Sequence, residues 1–368
     1  MTLSIIRDTA STLQALPVPL EQIRFAYTTR RMRHADIAGV IHDQRAPRSG
    51  DLVLAVIESI GQHRQIEFPS GRKARLYVGD HVVLAYGNRY APDQFEALVP
   101  DNLGPCHLIN SGGMAAREIA RHAKMAPATD IRPLGLLADA SGRPLNLADY
   151  ALPRVPMPLP GRRPLVFFVC GTSMNSGKTY TAHELVRGLR SLGLEVGAAK
   201  VTGTGAGHDP WRLADCGAKP VYDFTDAGHP STYCLPMADI EDAMDRVLAH
   251  LSTESINAIV VEVADGIGQA ETATLLQSPR LSRWCDGVLF AAADPLAAQA
   301  GVEWLRACEL PVLAASGLMT AVPLVQEEAQ SLIDVPVLSA EQLAGGHAFV
   351  DALHRMGAHL PRRLMSAA

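Results

Sequence analysis

The chain has 368 residues, 48% of them hydrophobic and 19% charged, with a formal net charge of -5. That composition fits globular domains and excludes a disordered chain. The length points to two domains. The small negative charge gives no overall attraction to nucleic acid or anionic membrane, so neither is expected as a partner.

Cys106, Cys170, Cys216, Cys234, Cys285 and Cys308 are scattered without a CxxC pair. A zinc ribbon or a disulfide scaffold is therefore not expected. Several lie in apolar runs and read as small buried hydrophobes. The first residues lack a basic start followed by a long apolar core, and no run approaches the roughly 18 apolar residues of a membrane span. The expectation is a cytoplasmic protein.

Residues 1–155 read as a β-rich domain. Residues 51–60 (DLVLAVIESI) form a strand, and residues 65–68 and 74–78 form a hairpin around Pro69-Ser70-Gly71. HVVLAY is a further strand, and this spacing predicts a small barrel or sandwich. Residues 112–122 read as a helix after a glycine pair. The segment Asn110-Ser111-Gly112-Gly113-Met114 either presents free N–H groups to an anion or is an ordinary helix start. Residues 134–147 read as another hairpin. Asn88, Arg89 and Tyr90 mix polar and aromatic groups at a strand end, suited to a substrate or to the other domain.

A proline-rich stretch, residues 152–164, fits neither helix nor inner strand and marks the boundary. Residues 163–368 then alternate between apolar strands (164–170, 194–200, 256–263, 287–292, 311–315) and helices (178–192, 237–251, 296–307). Strands that are apolar throughout, separated by helices, predict a mostly parallel sheet covered on both faces. The fold class is α/β, with a smaller β-rich domain preceding.

The chemistry concentrates in LVFFVCGTSMNSGKTYTAHELV. A buried strand runs into a loop bounded by glycines, then Gly177-Lys178-Thr179, then a helix. A nucleoside triphosphate, ATP or GTP, needs many donors at close range, and backbone N–H groups at a helix N-terminus supply them with a favourable dipole. Gly171 and Gly177 let the backbone turn and approach phosphate. Lys178 adds a charge at the β and γ oxygens, and the Thr179 hydroxyl suits Mg²⁺. Thr172, Asn175, Ser176 and Tyr180 complete the candidate cradle. The usual pattern has four residues between the glycines. Here there are five.

That longer loop resembles dethiobiotin synthetase, the cobyrinic acid a,c-diamide synthases and the molybdopterin-guanine dinucleotide biosynthesis adapter proteins. The resemblance covers about residues 165–338 and implies a SIMIBI-class fold, often dimeric, so a homodimer is expected. It implies a functional Lys200 at the end of VGAAK, near substrate and phosphates. It implies a Mg²⁺ role for Asp209, in a helix that starts HDPWR, where the residue also suits a cap. VVEVADG resembles the VVEGAGG strand end of the synthetases, making Glu262 a Mg²⁺ ligand, with Asp265 a second candidate. Val263 and Asp265 depart from the glycines of that pattern. TGTG, the downstream Asp and VVE also resemble P-loop proteins linked to D-amino acid acetylation, which leaves an acyltransferase as a further alternative.

His208 and His229 lie in Gly-containing loops, where solvation is the plainer reading. No guanine-reading Asn/Thr-Lys-x-Asp run, HExxH motif or GxSxG elbow is evident. The expected function is Mg²⁺-dependent ATP or GTP use that activates a small carboxylate or amine metabolite, with Lys178, Lys200, Asp209 and Glu262 as its working residues. The alternative is a nucleotide-switched adapter acting on a protein partner.

Overall fold

The structure, a computed structural model, describes residues 13–42, 45–159 and 161–355. By contact density the backbone divides into two units. Among the described residues, one comprises those up to 89 together with 94–150, the other 90–93 together with those from 151 onward.

The first unit is built on β1 (Ile23–Phe25), β2 (Gly39–Ile41), β3 (Leu52–Ser59), β4 (Gln65–Glu67), β5 (Lys73–Arg75), β6 (His81–Tyr86), β7 (Arg89–Tyr90), β8 (Phe95–Leu98), β9 (Cys106–Asn110), β10 (Met114–Arg121) and β11 (Thr129–Ala138). β3 pairs with β6 and β11, β11 with β9, β9 with β10, and β10 with β6. The pairings return to their starting strand, so these strands close a small barrel and leave no edge within the ring. Alternation sorts the side chains. Val53, Ala55 and Ile57 of β3 join Val82, Leu84 and Tyr86 of β6 in one core. Leu52, Leu54, Val83 and Ala85 point the other way, against Ile23, Phe25, Leu147 and Tyr150. β4 and β5 form a separate hairpin.

One expectation for this unit is corrected. Residues 112–122 are not a helix, since most of them form β10, antiparallel to β9. The helix-like composition of GGMAAREIAR is overridden by pairing on both sides. Accordingly, residues 110–114 are a strand-to-strand turn and not a helix start. The Asn110 side chain accepts from the Gly113 and Met114 N–H groups, at 3.0 and 2.9 Å, so those donors are already spent. Residues 134–147 do turn back on themselves as expected, with a short return. β11 ends at Ala138, Ala138 bridges Pro144 antiparallel, and the Asp139 and Leu145 N–H groups donate to the Arg143 and Leu137 carbonyls at 3.0 and 2.8 Å.

The second unit holds a six-stranded sheet in the order β14 (Val221–Asp223), β13 (Val196–Lys200), β15 (Ala258–Glu262), β12 (Leu165–Gly171), β16 (Gly287–Ala291), β17 (Val312–Ser316), with every pairing parallel. Sequence reasoning missed the edge strand β14, whose three residues carry too little pattern to stand out. Helices α1 (Lys178–Ser191), α2 (His208–Asp215), α3 (Met237–Leu251), α4 (Ala270–Leu276), α5 (Pro279–Trp284), α6 (Pro295–Ala307), α7 (Pro323–Leu332), α8 (Ala340–Gly345) and α9 (His347–Arg355) cover the sheet. The central strand shows why LVFFVC is apolar throughout. Val166, Phe168 and Cys170 face the core beneath α3–α7, while Phe167 and Val169 face that beneath α1, α2, α8 and α9. Helix starts follow local rules. Asp294 accepts the Ala297 N–H ahead of Pro295, and Ser339 and Gln342 form a capping box. Among the described residues no helix is long and apolar enough to cross a membrane.

Candidate nucleotide and metal site

Three parallel strands deliver the candidate residues to one edge. β12 and β13 flank β15, and the register sets Val169 and Lys200 opposite Glu262. In an open parallel sheet this carboxyl edge is where ligands bind. The loop after β12 then turns into α1, which begins at Lys178.

The loop is closely fitted. Asn175 and Gly177 both take left-handed backbone, with φ of 66° and 99°. A Cβ on Gly171 would lie 2.4 Å from Ser176 Oγ and 2.5 Å from the Ala291 carbonyl, and one on Gly177 would lie 2.9 Å from Gly317 Cα. Both positions therefore require glycine. The Thr172 N–H donates to Ala291, and the Ser176 carbonyl accepts from Leu318 N–H, both at 3.1 Å. Gly266, Gly317 and Leu318 hold the loop from outside, a role the sequence did not announce. Their signal was only a glycine beyond each of two strand ends, Gly317 directly after β17 and Gly266 four residues past β15.

Lys178 is buried and arches over the loop, donating to the Ser173 carbonyl at 2.6 Å. Burial pulls its pKa below the ordinary lysine value, with Glu262 and Asp265 pulling the other way. The Thr179 hydroxyl donates to Glu262 Oε1 at 3.0 Å. Glu262 is 2% exposed, and its Oε2 is buried with no hydrogen-bond partner. Burial and the Asp209 carboxylate raise its pKa, while Lys200 and Lys178 oppose them. Lys200 forms an ion pair with Asp209, and its Nζ is 3.9 Å from Glu262 Oε1. Burial works against the Lys200 charge, but these two carboxylates hold its pKa above the usual value. Burial likewise works against the Asp209 charge, and Lys200 holds its pKa down.

The sequence-predicted residues thus gather at one place, with differences of detail. Asp209 is engaged by Lys200 and lies 3.1 Å from His208 Nδ1, whereas Thr179 contacts Glu262 directly. His208 is half-exposed. Tyr180 is exposed on the outer side of α1. Burial lowers the pKa of His229, whose N–H caps a turn onto Phe224. That turn belongs to residues 223–233, which are stitched to the loop after β13 through Gly203 N–H to Thr232 Oγ1 at 2.9 Å. Ser176 Oγ is also buried without a partner. One residue was overlooked. His183, one turn beyond Thr179 on α1, is buried, and its Nε2 has no partner. The four-residue spacing from Thr179 was its signal.

A magnesium ion fits this donor set. An orphaned, buried carboxylate oxygen beside a threonine hydroxyl is what a hard, oxygen-seeking cation would use. Among the described residues no group of three or more His, Cys, Asp and Glu side chains is arranged to hold a metal. A magnesium ion there would take the Glu262 and Thr179 oxygens and complete its shell with phosphate and water.

No protein-family model matches the chain, and no curated protein does. Several solved structures are similar. The signal recognition particle 54 kDa protein from Aeropyrum pernix K1 in complex with GDP is 18% identical, over 57% of this chain and 53% of that one, with a TM-score of 0.36. Signal recognition particle receptor FtsY from Elizabethkingia anophelis in complex with GDP is 18% identical, over 55% and 67%, with a TM-score of 0.35. The same receptor, in a second structure, is 19% identical over 52% and 65%, with a TM-score of 0.35. The matches span about half to two thirds of those chains. Likeness at this level carries no argument about fold or function. The fold stands on the strand order above, and the function on the site's own geometry.

Proposed function

We propose that the second unit binds a nucleoside triphosphate with Mg²⁺ and uses its cleavage to activate a small carboxylate- or amine-bearing metabolite. The observation that carries this reading is the partnerless Oε2 of Glu262. It lies in a fully covered strand end beside the Thr179 hydroxyl, with Lys178 folded over the same loop. Leaving such a group unsatisfied costs about 1–3 kcal/mol, a cost that a bound cation would remove.

The loop N–H groups and the α1 N-terminus would receive the phosphates. Lys178 would release the Ser173 carbonyl and turn to the terminal phosphates. Thr179 and Glu262 would hold Mg²⁺, which when bound neutralises charge developing on the phosphoryl oxygens. Lys200 would remain positively charged through its pairing with Asp209, and would offer that charge to an acceptor at the sheet edge. Gly203, Thr232, Tyr233, Asp265 and Gln269 gather beside that edge around a cleft of only about 10 Å³, so a metabolite would have to approach from outside it. Asp265 would add a carboxylate partner for an amine.

The test is phosphate release with Mg²⁺ and either ATP or GTP, alone and with a panel of small carboxylates and amines. Slow basal release that a metabolite stimulates supports the reading. Release that responds only to a protein fraction would favour a nucleotide switch instead, and the absence of release under all conditions would contradict both.

A further inference from the structure

A second cavity lies wholly within the barrel unit. It has a volume of about 390 Å³, and its lining includes His63, Arg64, Gln65, Lys73, Arg75 and Ser111. Gln65 and Arg75 are register partners on the β4–β5 hairpin, and Lys73 shares a face of β5 with Arg75. Ser111 comes from the turn between β9 and β10, whose carbonyl accepts from the Glu67 N–H at 2.8 Å and so ties the hairpin to the barrel.

The charge pattern is one-sided. Arg24, Arg45, Arg117, Arg132 and Arg143 of the same unit each pair with a carboxylate. Among the described residues no ion pair involves Arg64, Lys73 or Arg75. Glu67, the hairpin's own carboxylate, is the register partner of Lys73, but it is fully buried beneath the exposed cations and is not part of the lining. Burial, helped by the adjacent Arg89, holds His63 down to about 3, so it is neutral and acts only as a hydrogen-bonding wall. The hairpin itself is anchored, since Arg24 donates to the Arg75 carbonyl at 2.5 Å while pairing with Asp80. Three like charges held on one small concave surface repel one another, and a concave wall focuses the positive field they share.

We propose that this cavity is a binding site for a small polyanion, a phosphorylated or multiply carboxylated metabolite. The volume matches a metabolite-sized ligand. Arg64 and Arg75 supply planar forks suited to phosphate or carboxylate oxygens, and Lys73 adds a point charge. Gln65 and Ser111 add neutral hydrogen-bonding groups. The cations are gathered in one concavity and not spread along a stripe, which suits a compact anion better than a nucleic-acid backbone.

The proposal is independent of the nucleotide site, and the experiment keeps the two apart. The full-length chain carrying Lys178→Ala, which disables the phosphate loop, is titrated calorimetrically with pyrophosphate and with citrate at low and high salt. The expected result is saturable one-site binding of at least one anion. That binding weakens at high salt and falls about tenfold or more when Arg64, Lys73 and Arg75 are all changed to Gln, a loss worth about 1.4 kcal/mol. The three side chains are exposed, so the variant should keep the parent melting temperature, and a companion with Lys73→Arg, which keeps both forks and the charge, should retain binding. Preference for pyrophosphate or for citrate identifies the ligand as phosphorylated or carboxylated. Unsaturable titration of both anions, equal affinity in the triple variant, or binding confined to oligonucleotides would overturn the assignment.

Discussion

At the scale of single residues, Glu262 sets the terms. Its carboxylate is buried, raised in pKa and half-satisfied, so the protein carries a local cost in order to offer an oxygen. Glu262→Gln keeps the shape and removes the charge. It should stabilise the nucleotide-free protein by on the order of 1 kcal/mol while lowering Mg²⁺-dependent turnover about a hundredfold, measured by urea unfolding and phosphate release. A variant that loses both stability and turnover would contradict this account. His183 gives a pH signature. Burial depresses its pKa to about 4 in the folded state, against an ordinary value near 6.5. The folded chain therefore resists its protonation. The contribution is present above about pH 6.5 and is lost as pH falls toward 4. His183→Gln should make unfolding less pH-dependent in that window by one proton's worth of slope, and an unchanged slope would count against it.

At the scale of elements, the loop between β12 and α1 and the strands beside it decide the geometry. Gly177 has φ of 99°, and a Cβ there would crowd Gly317. Gly177→Ala should cost about 1–2 kcal/mol in backbone strain alone, and should weaken nucleotide binding more than it lowers the melting temperature. Phe168 is fully buried within the sheet core, so Phe168→Ala should cost about 3–5 kcal/mol and be felt by the whole unit. These elements also separate what the sequence announced from what it hid. The apolar runs of β12, β13 and β15 and the glycine-bounded loop are strong local signals: Lys200 and Glu262 end β13 and β15, and Lys178 follows the loop, whereas Asp209, at the start of α2, was singled out by resemblance alone. The turn at residues 110–114 was misread because its glycines and the alanine-rich segment after it suit a helix start equally well. Only pairing with β9 and β6, distant information, settles it as strand. Gly266, Gly317 and His183 were missed because their roles depend on what the fold brings against them.

At the scale of the whole molecule, the chain carries separate cores. One set lies within the barrel, and another on the two faces of the parallel sheet. Separate cores permit separate cooperative transitions, and a ligand raises only the transition of the unit that binds it. Calorimetric unfolding should therefore resolve a component that Mg²⁺ and nucleotide move and a component that they do not. A single transition displaced as one would contradict that expectation. The most direct test of the central claim is the melting temperature with Mg²⁺ plus ATP, Mg²⁺ plus GTP, or Mg²⁺ alone, in the unaltered protein and in Lys178→Ala. At a nucleotide concentration about a hundredfold above Kd, binding adds about 2.7 kcal/mol, enough to raise the melting temperature by roughly 5 °C or more. The account predicts such a rise with at least one nucleotide and its loss in Lys178→Ala. An absence of shift with either nucleotide, or an equal shift in the variant, would contradict it.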